Sequence, residues 1–136
     1  MQDRTIYEDA VFAKTLVDQG LMEERDYRTY LSLFKHMSNF MCRPNVIVYL
    51  DVSPERSMER IRQRARGVES GVQLDYLKAL YAEYEKFIQD ISRTVPVIRV
   101  SWEQYRTAEE MAVVIEQEYL RGTFLREVTW EPHKAV

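Results

Sequence analysis

Four arginines, Arg60, Arg62, Arg64 and Arg66, stand at alternate positions in "ERIRQRARGVES" (residues 59–70), within a 136-residue chain of formal net charge −3. The run contains no lysine. A solvated helix face would mix the two cations and place acids four residues away, where opposite charges support each other. Arginine alone is the choice where a planar, bidentate grip on phosphate or carboxylate matters. The chemistry indicated is recognition of an anion by a local device. The plainer alternative is a solvated helix end whose cations favour the negative pole of the helix.

The rest of the composition narrows the class. With 46% hydrophobic and 12% aromatic residues, the chain is one globular domain at most, or a piece of one. A sequence pI near 5.5 weighs against a protein whose main business is the nucleic-acid backbone, which demands a basic field. The single cysteine, Cys42, excludes an internal disulfide and a thiolate metal site, and it fits a reducing compartment. His36 and His133 lie too far apart to suggest a metal site. No window reaches transmembrane length, so no membrane partner is expected. "MQDRTIYED" has neither the apolar core of a signal peptide nor the basic, acid-poor look of a transit peptide. The expected location is the cytoplasm, or the mitochondrion if a further segment precedes Met1.

Elements that could position the arginines follow from periodicity. "IYEDAVFAKTLVDQG" predicts a first helix capped by Gly20. From Glu23 to about Met41, Tyr27, Tyr30, Phe34, Met37 and Met41 recur at three and four, predicting an amphipathic helix whose aromatic stripe belongs to the core. "NVIVYLD" (45–51) reads as a strand buried on both faces and central in a parallel sheet. Ser53 and Pro54 then start a helix that places the arginines near its C-terminal end. Gly67 and Gly71 bracket a loop, and Leu74, Leu77, Tyr81, Tyr84, Ile88 and Ile91 trace one face of a long helix. "PVIRVS" is a second strand, expected to pair in parallel with the first, and Thr107 with Glu110 forms a capping box for a helix to about Leu120. Residues 122–136 show no period and are expected to be irregular. The rhythm is that of an α/β fold with a parallel sheet. Two strands are too few for such a sheet, and Asp3 follows what looks like the end of an absent strand.

Two stretches, in the right order, carry a resemblance. "QDRTIYED" resembles the Asp/Glu-Arg-Ser/Thr motif of the deoxynucleoside kinases, and "ERIRQRARGVESGVQLDYLKALYAEYEKFI" is similar to that family's Arg-rich lid, following acid and long helix. The similarity runs from Asp3 to about Val100. It implies a P-loop kinase-like fold, a three-layer parallel sheet with flanking helices, whose N-terminal strands are absent here. Residues 1–121 would be the C-terminal part of such a domain, with the lid near 60–72. The implied activity is transfer of the γ-phosphoryl of ATP to the 5′-hydroxyl of a deoxynucleoside, with Mg²⁺. Asp3 resembles the acid that helps hold the metal, and Arg4 the arginine beside the reacting oxygen. Asp9 resembles the acid near the nucleobase, where an ordinary first-turn helix acid is the alternative. Arg60, Arg64 and Arg66 match the arginines that close on the donor's phosphates, and Glu69 the acid that reaches the sugar 3′-hydroxyl. Arg62 matches nothing. Relatives commonly dimerise through their helices, so a homodimer is expected.

The departures carry equal information. The family's Gly-rich loop, G-x-x-x-x-G-K-[ST], does not occur, because Gly20, Gly67, Gly71 and Gly122 are the only glycines and none precedes a lysine, and the general-base carboxylate that shortly follows that loop in the family has no match here either. Without that backbone nest the arginines alone should bind ATP poorly, and this chain by itself is expected to be inactive. Two other classes stay open: a non-catalytic kinase-like assembly protein, similar to the accessory subunit of respiratory complex I, and a phosphate- or nucleic-acid-binding module.

Overall fold

The computed structural model describes residues 3–64, 71–121 and, through its backbone, 125–128. The first helix, α1 (Ile6–Asp18), starts where Thr5 turns extended and accepts a hydrogen bond from the Tyr7 amide at 3.3 Å. It ends in a Schellman motif: Gly20 N–H donates to Val17 O and Leu21 N–H to Leu16 O. The turn requires Gly20 at φ +71°, a left-handed backbone that only glycine adopts without strain. Helix α2 (Glu24–Ser38) lies against α1 through Tyr7, whose ring meets Phe34 edge-on at 5.9 Å.

Strand β1 (Ile47–Asp51) pairs in parallel with β2 (Val97–Ser101), Ile47 opposite Val97 and Asp51 opposite Ser101. This matches the expected pairing of "VIVYLD" with "PVIRVS". Between them run α3 (Pro54–Arg64) and α4 (Leu74–Ile91). The Ser53 hydroxyl accepts from the Arg56 amide at 3.3 Å, and Pro54 opens α3 where its missing N–H costs nothing. The capping box also forms, with the Thr107 amide on Glu110 Oε2 at 3.0 Å and the Glu110 amide on Thr107 Oγ1 at 3.2 Å, ahead of α5 (Ala108–Arg121).

Strand alternation sorts the layers. Ile98 and Val100 point one way, into a cluster with Met111 and Ile115 of α5 and with Val46 and Val48. Tyr49, Asp51 and Arg99 point the other way and meet Tyr81, Tyr84 and Glu85 of α4. Helix, sheet, helix is therefore the order of layers.

Three expectations are corrected. The tail is not wholly irregular: Leu125–Val128 forms β3, parallel to β2, so the described sheet has the order β1-β2-β3. A four-residue charged strand has no legible period and takes its conformation from the edge it pairs with. Strand β1, expected to be central, is an edge of the described sheet, with Leu50 44% exposed, and in that sheet only β2 is flanked on both sides. An apolar run reports apolar surroundings, not strand order. The stripe of α2 is only half-buried, with Met37 and Met41 exposed and no residue of the helix fully buried, because α1 covers one flank alone.

Replacing Gly20 by alanine should cost about 1–2 kcal/mol, the penalty for a left-handed L-residue. No side-chain clash adds to it, since nothing lies within 4 Å of the new Cβ. A lower urea midpoint with an unchanged m-value would show it.

Candidate active site

The arginine helix faces the carboxyl end of the sheet. From α3, Arg60 Nη2 donates to the carbonyls of Trp102 (2.6 Å) and Glu103 (3.0 Å), just past the end of β2, and its guanidinium lies 4.4 Å from the centre of the Tyr105 ring. One turn on, Arg64 Nη2 donates to the Tyr105 hydroxyl at 3.3 Å. One turn back, Arg56 Nε donates to Glu103 O at 3.2 Å. Open α/β sheets bind ligands at the carboxyl ends of their strands, so the arginines stand where an anion would arrive. Arg62 is exposed. Arg66 and Glu69 lie outside the described residues.

A second group forms where α1 begins. Asp3 and Arg4 are exposed, and Arg4 holds φ +59° with its guanidinium 5.9 Å from the centre of the Phe12 ring. A left-handed arginine is strained and persists where its surroundings hold it. Phe12 meets Tyr84 edge-on at 6.0 Å, and the Tyr84 hydroxyl donates to Glu8 at 3.2 Å. Burial pushes the Tyr84 phenol well above its ordinary value, and the Glu8 carboxylate adds to the rise. Asp9 is exposed on the first turn of α1, and its charge helps raise the Tyr30 phenol, after burial as the larger cause.

Between the two groups lies a polar network under the sheet that no sequence motif announced. Arg99, in the middle of β2 and only 12% exposed at its side chain, pairs with Asp51 Oδ2 at 3.1 Å and with Glu85. Tyr81 donates to Asp51 Oδ1 at 3.1 Å. Tyr49 stacks on Tyr84 at 5.9 Å and lies 5.4 Å beneath the Arg99 guanidinium. A charge inside an apolar strand was the available signal, since "PVIRVS" has no other reason to hold an arginine. Its partners could not be read, because Asp51 and Glu85 come from other elements.

The described residues form a parallel α/β sheet with an arginine-bearing helix at its carboxyl end, the edge at which proteins of this architecture bind their ligands. The chain belongs to the deoxynucleoside kinase family, whose model, described as "Deoxynucleoside kinase", matches residues 1–121. It is 52% identical over 128 residues to a deoxyadenosine kinase of Dictyostelium discoideum, covering 94% of this chain and 52% of that protein. It is 37% identical over 108 residues to a deoxyadenosine/deoxycytidine kinase of Bacillus subtilis, covering 77% of this chain and 49% of that one. The chain thus spans about half the length of these curated relatives. The structure of deoxyadenosine kinase from M. mycoides with bound dCTP shares the fold, with a TM-score of 0.71 at 23% identity over 85% of this chain and 60% of its own. The fold is the P-loop kinase fold, as the resemblance implied.

Replacing Arg99 by methionine leaves Asp51 and Glu85, both partly solvated, without their shared cation and is expected to cost about 1–3 kcal/mol in denaturant titrations. Burial, and next the Asp51 charge, raise the Tyr49 phenol above its ordinary value of 10.0. Above about pH 10 an unfolded tyrosine loses its proton while the folded Tyr49 keeps it, so stability falls as pH rises. Tyr49→Phe should flatten that alkaline loss in urea titrations between about pH 9 and 11.

Proposed function

We propose that these residues form the acid-arginine and lid part of a deoxynucleoside kinase that transfers the γ-phosphoryl of ATP to the 5′-hydroxyl of a deoxynucleoside. The observation that carries the reading is one matched stretch, residues 1–121, holding both Asp3–Arg4 at the start of α1 and the arginine-bearing end of α3 in the family's order. The strained backbone of Arg4 supports it, since such strain clusters at functional sites. The 5′-oxygen bonds to the γ-phosphorus, the bond to the bridging oxygen breaks, and ADP leaves. The hydroxyl proton goes to a general base that is not among the residues assigned here. Arg64 and Arg66 would offset charge spreading over the equatorial oxygens, Arg4 would lie beside the 5′-oxygen, and Asp9 and Glu69 would orient base and sugar.

The described residues contain no group of three or more His, Cys, Asp or Glu side chains able to cage a metal. Mg²⁺ needs no such cage, because it keeps several waters and binds one or two carboxylates together with substrate phosphates. The exposed carboxylate of Asp3 fits that part, and the ion would neutralise charge on the donor's phosphates. The donor itself needs the G-x-x-x-x-G-K-[ST] nest, which residues 1–136 do not contain. Solved structures of the M. mycoides enzyme carry dCTP and dATP, which favours nucleotide ligands for the site proposed here. Leu33, Met37 and Phe40, exposed on and just after α2, suit a homodimer contact. No described helix is long and apolar enough to cross a membrane. The cytoplasm, or the mitochondrion, is the proposed setting.

Transfer of labelled phosphate from ATP to the four natural deoxynucleosides tests the proposal. The 136-residue chain alone should show none. Activity should appear once a family segment carrying the phosphate loop is joined ahead of residue 1. In that protein Arg64→Ala should lower kcat about 10²- to 10³-fold with little change in nucleoside KM. Transfer by the 136 residues alone would overturn the dependence on an added loop. A joined protein that folds and transfers nothing would overturn the kinase reading.

A further inference from the structure

We propose that Tyr105 and Glu103 are positioning residues for the arginine helix, holding Arg60 as a fixed anchor and Arg64 as the exchangeable arginine of the run. Only the work assigned to Arg64 rests on the kinase reading. The anchoring stands on contacts alone.

Arg56, Arg60 and Arg64 are four residues apart and share one face of α3, the face turned to the loop after β2. That loop is fixed before the arginines reach it. The Trp102 amide continues the β ladder onto Asp51 O at 2.6 Å. The Glu103 carboxylate accepts from the Ser53 amide at 2.6 Å and from the Ser53 hydroxyl at 3.3 Å, placing a negative charge at the positive end of α3. Glu103 therefore ties both ends of the contact: its side chain caps the helix, and its carbonyl receives Arg56 and Arg60.

Arg60 and Arg64 meet the loop on unequal terms. Arg60 is half-buried, bonded to two backbone carbonyls and covered on one face by the Tyr105 ring. To reach a phosphate it would have to leave all three. Arg64 is exposed and bonded to one neutral phenol oxygen. A charge-assisted, bidentate phosphate contact outcompetes that single bond. The family pattern gave both residues to the phosphates, whereas the contacts divide them.

Tyr105 serves both through different parts, its ring under Arg60 and its hydroxyl on Arg64. The Arg64 hydrogen bond, with the charges of Arg64, Arg60 and Arg56, holds its phenol below the ordinary value of 10.0. That gives a spectroscopic handle on a residue at the surface.

The test uses the 136-residue chain and needs no phosphoryl transfer. In side-chain Nη–Hη NMR spectra, assigned by Arg60→Lys, the Arg60 resonance should be displaced by the aromatic ring and slow to exchange with solvent, because Nη2 carries both carbonyl contacts. Tyr105→Phe should keep that signature, Tyr105→Leu should abolish it, and Glu103→Ala should weaken it. In ultraviolet titration of the tyrosines, Tyr105→Phe should remove one group ionising below pH 10, and Arg64→Ala should move that group upward. An Arg60 resonance among those of the solvated arginines would overturn the anchor. A Tyr105 titration indifferent to Arg64→Ala would overturn the resting contact. Since neither readout involves ATP, a chain that shows both but transfers nothing once the loop is supplied keeps the Arg60 anchor and the resting Arg64 contact, and loses the kinase reading together with the work assigned to Arg64.

Discussion

The architecture turns on one charge placed where a strand should be apolar. Arg99 sits inside β2, with Val97 and Val100 buried beside it, and a guanidinium there is tolerable only if its charge is matched and its hydrogens are bonded. Asp51 comes from β1 and Glu85 from α4, so neutralising Arg99 fixes the strand and the helix relative to each other. Tyr81 bonds the remaining oxygen of Asp51, and Tyr49 lies beneath the guanidinium. The directional contacts of Arg99 with Asp51 and Glu85 add to the packing of α4 on the sheet a set of bonds that form only when strand and helix are in this register.

That register carries both halves of the candidate site. Asp51 is the last residue of β1, and its carbonyl receives the Trp102 amide, so the loop that holds Arg60 starts from the same residue that pairs with Arg99. On the other side, the stack of Tyr49 on Tyr84 passes the position of α4 to Glu8 and Phe12, and Phe12 lies beneath Arg4. The two arginine groups, far apart in sequence, are placed by one continuous set of contacts under the sheet.

The apolar surface is uneven. The core is deepest at β2, where Val97 is fully buried, and thins toward β1 and α2. Leu50 and Phe40 are exposed on that side, at 44% and 92%. Exposed apolar surface of this extent marks where another surface is accommodated.

What the sequence determined by itself was local. Gly20 could end α1, Ser53 and Pro54 could start α3, and Thr107 with Glu110 could cap α5, because each involves residues within one turn and the backbone chemistry is the same in any context. The order of motifs also disclosed the family and the helix that bears the arginines. Tertiary structure decided the rest. Strand order, the half-buried stripe of α2 and β3 depend on which surfaces meet, and a pattern of apolar residues names a face without naming its partner. The Arg99 network and the unequal fates of Arg60 and Arg64 join residues 14 to 48 positions apart, and only the folded chain brings them within hydrogen-bonding reach.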